Sequence, residues 1–197
     1  TRLPLHNLEN IVCFNYMGTS PALMGACAER NIGLVFLTPY GRDQARVTGK
    51  VKGNVLLRKK QYHVSEIEEE SLPIAASFLI GKIANCRKVI ERAIRDHRLL
   101  VDVEALSEVS ESLKRTLHEL PKSACISDLM GFKGSAAKLY FKVFDQLILQ
   151  QKDYLRFVER SRRPPLDNIN ALPSFFYTLL TNEVASALEA VGLDPYV

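Results

Sequence analysis

The chain is predicted to fold as α+β: a small β-rich N-terminal domain, present in part over residues 1–52, followed by an all-α helical bundle over residues 53–197. Three observations lead there. Up to Thr48 the apolar residues come in short runs closed by turn-forming residues, the pattern of strands with one helix between them. Between Gly49 and Asn54 that pattern stops. From Val55 onward apolar residues recur at helical spacing over long segments, with almost no strand signal.

Each element follows in order. Leu5 to Phe14 closes in a short apolar run suited to a buried strand. Ser20-Pro21 starts a helix, with serine as cap and proline at the first helical position, and Asn31 stops it after Arg30. Ile32 to Leu37 is a second strand, Pro39-Tyr40-Gly41 a turn, and Gln44 to Thr48 a third strand of alternating character. Val55 to Ser65 is a helix. The acidic Glu66–Glu70 suits the start of the next, which runs from about Leu72 to His97. Its core stripe is Ala76, Leu79, Ile80, Ile83, Val89, Ile90 and Ile94. Val103–Leu120, Ser127–Gln151 and Leu166–Val191 complete the bundle. Pro173 falls inside the last segment. An interior proline costs about 3 kcal/mol or more, so a kink or a later start is expected there.

Composition excludes little. An apolar fraction of 47% and a charged fraction of 24% are those of an ordinary globular domain, and a net charge of +4 permits nucleic-acid binding without requiring it. Cys13, Cys27, Cys86 and Cys125 form no CxxC pair and no Cys/His metal spacing. They are expected to be buried reduced thiols, which suits a cytoplasmic location. No apolar run approaches the roughly 20 residues that span a bilayer, so no membrane partner is expected. Both ends read as cuts. Thr1 is not a start residue, Leu3–Phe14 already needs sheet partners, and the last helix closes at Gly192, just before Val197.

The most informative segment is Gly131-Phe132-Lys133-Gly134-Ser135-Ala136-Ala137, followed by Tyr140-Phe141. Small residues near a helix start let another backbone or a phosphate come close. A cation in a first turn has the wrong sign for the helix dipole, which makes Lys133 conspicuous. Further along, Arg160, Arg162 and Arg163 precede Pro164-Pro165 as the densest basic cluster, in a stiff extended loop suited to phosphate oxygens. Gly81-Lys82-Ile83-Ala84-Asn85-Cys86-Arg87 carries two more cations on one helix.

These segments resemble, in order, the motifs of the CRISPR-associated integrase family, which inserts new spacers into CRISPR arrays. The first is similar to its Gly-x-Glu-Gly-x-Ala-Ala-x-x-Tyr-Phe signature, and Gly81–Arg87 to its Gly-Lys-x-x-Asn-x-Arg helix. Arg162-Arg163-Pro164-Pro165 with Asp167, Asn170, Ala171 and Ser174-Phe175 is similar to its Arg-Pro-x-x-Asp-x-x-Asn-Ala segment. Gly53–Lys59 with Gln61-Tyr62 resembles the beginning of its helical domain, while Asn7-Leu8 and Gly33-Leu34 fit its N-terminal domain.

The resemblance implies a metal-dependent DNA endonuclease and integrase. Such a subunit acts as a homodimer through its β-rich domain and pairs with a small ferredoxin-like adaptation subunit. It implies a magnesium or manganese ion held by the signature glutamate, a later histidine and a later acidic residue. Here Lys133 occupies the glutamate position, and the other two would lie beyond Val197; His63, His97 and His118 lie upstream of that motif. The expectation is a chain with no intact catalytic set and no bound metal, retaining DNA contacts at Lys82, Arg87, Arg162 and Arg163. The alternatives are a dimerising remnant that does not bind DNA, and Lys133 as a plain solvated lysine.

Overall fold

The computed structural model describes residues 3–49, 54–161 and 164–197. Two compact units divide the chain: residues 1–63 with 172–197, and residues 64–171.

In the first unit, β1 (Asn10–Cys13), α1 (Pro21–Arg30), β2 (Gly33–Leu37) and β3 (Asp43–Val47) form a three-stranded sheet with one crossover helix. β1 lies parallel to β2, pairing Ile11 with Leu34, and β3 runs antiparallel to β2, pairing Ala45 with Phe36. The sequence signals around α1 hold. The Leu23 N–H donates to Ser20 Oγ at 3.2 Å, Pro21 is the first helical residue, and Asn31 ends the helix in the left-handed region at φ 56°. Cys27 on α1 packs with Ile32 and Leu34 into a small apolar core, flanked by Ile11, Leu23, Met24, Phe36 and Val47. The first strand is shorter than expected. Leu5–Asn7 is a 3-10 turn, closed by the Asn7 N–H on the Pro4 carbonyl at 3.1 Å. Gly41 turns the chain at φ +74°, and a Cβ there would lie 2.6 Å from the Phe175 ring.

α2 (Val55–Glu66) starts on Asn54, whose Oδ1 accepts from the N–H groups of Leu56 and Leu57 at 3.1 and 3.3 Å. The later part of α6 (Asn168–Ala190) and the residues after it group with the sheet. Phe175 stacks on Phe14 with ring centroids 5.9 Å apart, Asn10 donates to the Glu183 carboxylate, and Arg46 pairs with Glu189. Gln61 and the Asp194 backbone exchange two hydrogen bonds of 2.8 Å, and the Tyr62 hydroxyl donates to the Asp194 carboxylate at 2.6 Å. This grouping differs from the break expected near residue 52. The sequence changes character there, whereas the contacts join two segments from opposite ends of the chain.

The second unit holds the larger core, built by α3 (Glu68–Asp96), α4 (Val103–Glu119) and α5 (Ile126–Lys142). Leu79, Ile83 and Ile90 of α3 meet Leu106, Val109 and Leu113 of α4 and Leu129 and Ala136 of α5. Asp102 caps α4 by accepting the Ala105 N–H at 3.0 Å. Four expectations change. α3 begins at Glu68, four residues before Leu72, and carries Pro73 as its sixth residue. Val89 is exposed, because it lies 100° around the helix from the buried Ile90. α5 ends at Lys142, well short of Gln151, and a 3-10 turn over Phe144–Leu147 follows. Asp145 ties down that connection: its Oδ1 accepts the Phe157 N–H at 2.8 Å, and Lys152 Nζ donates to its carbonyl and Oδ2 at 2.8 and 3.0 Å. α6 runs through Pro173 from Asn168, with Asp167 as cap, instead of starting after the proline. Among the described residues no helix is long and apolar enough to cross a membrane. The four cysteines are free, but only Cys27 is buried; the others are half-buried.

Candidate nucleic-acid interface

The signature segment lies inside α5. The glutamate at position 68 of α3 accepts the first N–H of that helix, from Ile126, at 2.7 Å, and Asp128 Oδ2 accepts the Ala124 N–H at 2.9 Å. This uses part of the acidic patch as a cap on a neighbouring helix. Ala136 is buried in the core, and Phe132, Leu139 and Tyr140 pack against it. Tyr140, Phe141, Phe144 and Phe157 form an aromatic cluster with centroids 4.9–5.7 Å apart in its contacting pairs. Burial first, and the nearby Cys86 second, pushes the Tyr140 hydroxyl up to about 12.

Gly131, Lys133, Gly134 and Ser135 are exposed. Two expectations are corrected here. Lys133 is the eighth residue of α5, about two turns from its start, so the dipole of the first turn does not act on it. Among the described residues a Cβ at Gly131 or Gly134 would meet nothing within 4 Å, so none of their backbone outside α5 approaches those glycines. The Lys133 ammonium carries three donors and no acceptor, and it makes no ion pair among the described residues. A divalent cation does not fit at that side chain. Among the described residues no group of three or more His, Cys, Asp and Glu is placed to hold one.

Lys82 and Arg87 both sit on α3 but face differently. Lys82 is exposed beside Gly81 and Asn85, with Phe78 one turn away and 76% exposed. Arg87 is about 140° around the helix from Lys82, half-buried and paired with Glu91, which also accepts the buried Ser110 hydroxyl at 3.3 Å. The spacing of Arg87 and Glu91, one helical turn, was the readable signal for that pair. Lys82 therefore presents an open charge and Arg87 one already paired with a carboxylate. Arg162 and Arg163 lie outside the described residues.

Asn170 draws more together than the sequence suggests. It is 1% exposed in the first turn of α6. Its Oδ1 accepts from Arg160 Nη1 at 2.7 Å and from the Ser161 N–H at 3.1 Å. Its Nδ2 donates to the Glu159 carbonyl at 2.7 Å and to Asp167 Oδ2 at 2.8 Å, while Asp167 Oδ1 accepts its backbone N–H at 2.6 Å. In the sequence Asp167 and Asn170 stand out only as members of the segment that begins at Arg162.

A family profile described as CRISPR associated protein Cas1 matches residues 1–197. The chain is 44% identical over 195 residues to CRISPR-associated endonuclease Cas1 1 of Chlorobaculum tepidum, covering 99% of this chain and 57% of that protein. It is 47% identical over 200 residues to CRISPR-associated endonuclease Cas1 2 of Rhodospirillum rubrum, covering all of this chain and 57% of the relative. Among solved structures, a Cas1 protein from Thermotoga maritima shares the fold with TM-score 0.75 at 23% identity, over 98% of this chain and 58% of that one. A casposase bound to an integration product does so with TM-score 0.77 at 21% identity, over 96% and 51%. The chain thus spans a little over half the length of these curated relatives. With a match along its whole length, the chain belongs to the Cas1 family of CRISPR-associated proteins.

Proposed function

We propose that this chain handles DNA in CRISPR spacer acquisition, as an integrase-family subunit that binds the DNA backbone and is impaired in catalysis. Family membership carries the first half: relatives named CRISPR-associated endonuclease match 99–100% of the chain at 44–47% identity. Proteins of the same fold supply the partners proposed here. One is a casposase bound to an integration product, another a Cas6-RT-Cas1–Cas2 complex. On that basis the chain pairs with a second copy of itself and with a small ferredoxin-like adaptation subunit, and acts in the cytoplasm.

Lys133 carries the second half. Attack on a phosphodiester builds negative charge on the phosphate oxygens, which a magnesium or manganese ion on hard oxygen ligands offsets when it is bound. An ammonium in place of a carboxylate removes a ligand and adds repulsion toward the ion. This chain's own residues bind and orient instead. Lys82 presents an open cation, and Arg162 and Arg163 add two more by sequence. Arg87 is paired with Glu91, whose carboxylate also accepts the Ser110 hydroxyl of α4.

Binding of branched duplex DNA across a salt series, with manganese titrated by calorimetry, tests the proposal. Replacing Arg162 and Arg163 by Ala should flatten the slope of log affinity against log salt by about two. The chain should take up no manganese tightly, and Lys133→Glu should gain at most weak uptake. Tight manganese binding by the unaltered chain would refute the impairment. Failure to bind DNA at any salt would leave a dimerising remnant as the reading.

A further inference from the structure

We propose that Arg160 is a binding residue for a phosphodiester oxygen and that Asn170 is the residue that positions it. The site is a single built anion contact on the connection between Phe157 and α6. It rests on the DNA-binding reading above and adds to it a location and a mechanism of presentation.

The neighbours of Arg160 are the first observation. Its side chain is half-buried, and among the described residues its hydrogen-bond partners are two neutral oxygens, Asn170 Oδ1 and the Ser161 carbonyl, both taken by Nη1. No carboxylate lies within ion-pair distance of it among the described residues. Asp167 is in the same network, but both its oxygens are occupied by Asn170. Two other half-buried arginines have a carboxylate partner, Arg46 with Glu189 and Arg87 with Glu91. A cation partly withdrawn from water without a counter-charge is unfavourable until an anion reaches it. The guanidinium edge not used by Nη1 retains donors in the fork geometry that matches phosphate oxygens.

The second observation is how firmly that guanidinium is held. All four hydrogen-bonding positions of the buried Asn170 amide are used, two by donors on Oδ1 and two by acceptors on Nδ2. The partners fix the amide orientation, since Arg160 and Ser161 offer only donors and Glu159 and Asp167 only acceptors. Ser161 Oγ accepts the Leu166 N–H at 2.9 Å, and Asp145 accepts the Phe157 N–H at 2.8 Å, so the connection is tied on both sides of Arg160. A preordered arginine has less side-chain freedom to lose when a phosphate binds.

Four variants test it: Arg160→Ala, Arg160→Lys, Asn170→Asp and the double variant Arg160→Ala/Asn170→Asp. Arg160→Ala should weaken DNA binding about tenfold and lower the log–log salt slope by about one. Asn170→Asp should give the same loss with Arg160 still present, because the new carboxylate neutralises the guanidinium and repels Asp167. The double variant should be no weaker than either single change. Arg160→Lys should keep the slope but not the full affinity, since a lysine lacks the fork. Amide exchange separates loop order from charge: Ser161 and Leu166 should stay protected in Arg160→Ala and open in Asn170→Asp. An unchanged slope in Arg160→Ala overturns the site. Reduced affinity in Asn170→Asp at unchanged slope overturns the positioning role and leaves a structural one. If the unaltered chain binds no DNA, the functional reading fails, and titration with inorganic phosphate decides the anion site alone. An Arg160 side-chain NMR shift on adding phosphate that is lost in Asn170→Asp upholds it; no shift overturns it.

Discussion

Asp194 shows how far one contact reaches. The Tyr62 hydroxyl, donating at 2.6 Å, holds the Asp194 carboxyl below the usual carboxylate range, aided by the Tyr196 N–H and the charge of Arg58 and opposed by burial. The same hydrogen bond pushes the Tyr62 hydroxyl up. A carboxyl depressed in the folded state adds stability that is complete above its unfolded pKa. That stability is lost as pH falls through the lower folded value. Tyr62→Phe should therefore let Asp194 titrate closer to the usual range, seen as an upward shift in its NMR pH titration; an unmoved titration would assign the depression to the Tyr196 N–H. Residues whose partners are close in sequence were legible beforehand. Ser20 and Asn31 act within four residues of themselves. Tyr62 and Asp194 lie 132 positions apart, and nothing local in either segment points to the other.

Helices were legible as stripes and poorly legible at their ends, and the two interior prolines show why. Pro73 and Pro173 are each the sixth residue of a helix, where a missing N–H normally discourages a helical path. Sequence reading put the start of α3 just before Pro73, although Glu68 already begins the helix. α5 failed at the other end, because apolar spacing continues past Lys142 while Val143 leaves the helix at φ −110°, ψ 4°. In α6 the proline deprives the Ile169 carbonyl of its usual donor four residues on. Pro173→Ala restores that donor and removes the ring clash. It should stabilise α6 by about 1–3 kcal/mol, less than the full propensity difference because proline also restricts the unfolded chain. Thermal melting followed by circular dichroism measures it. A lower melting temperature would mean that the proline ring, half-buried here, is needed for packing.

At the scale of the whole chain, two cores of unequal size predict two unfolding steps. The first unit buries Cys27, Ile32 and Leu34 under one short helix, with aromatic and charged pairs such as Phe14–Phe175 and Arg46–Glu189 beyond them. The second unit buries Ile83, Ile90, Leu106, Leu113, Leu120 and their neighbours between three long helices. Apolar burial is the main source of stability, so the sheet should open at lower denaturant than the bundle. Sequence periodicity showed the core stripe of α3 and the apolar strand from Ile32 to Leu37. It could not show that 172–197 groups with the sheet, because that depends on pairs such as Asn10–Glu183, whose members carry no shared pattern. Amide exchange in rising urea tests the consequence: the N–H groups of Leu34 and Val35 in β2 should lose protection before those of Val109 and Leu113 in α4. Leu113→Ala, at a fully buried position, should cost about 2–5 kcal/mol in the second step and leave the first where it was. If both steps move together, the chain opens as one cooperative body and the division into two units has no energetic meaning.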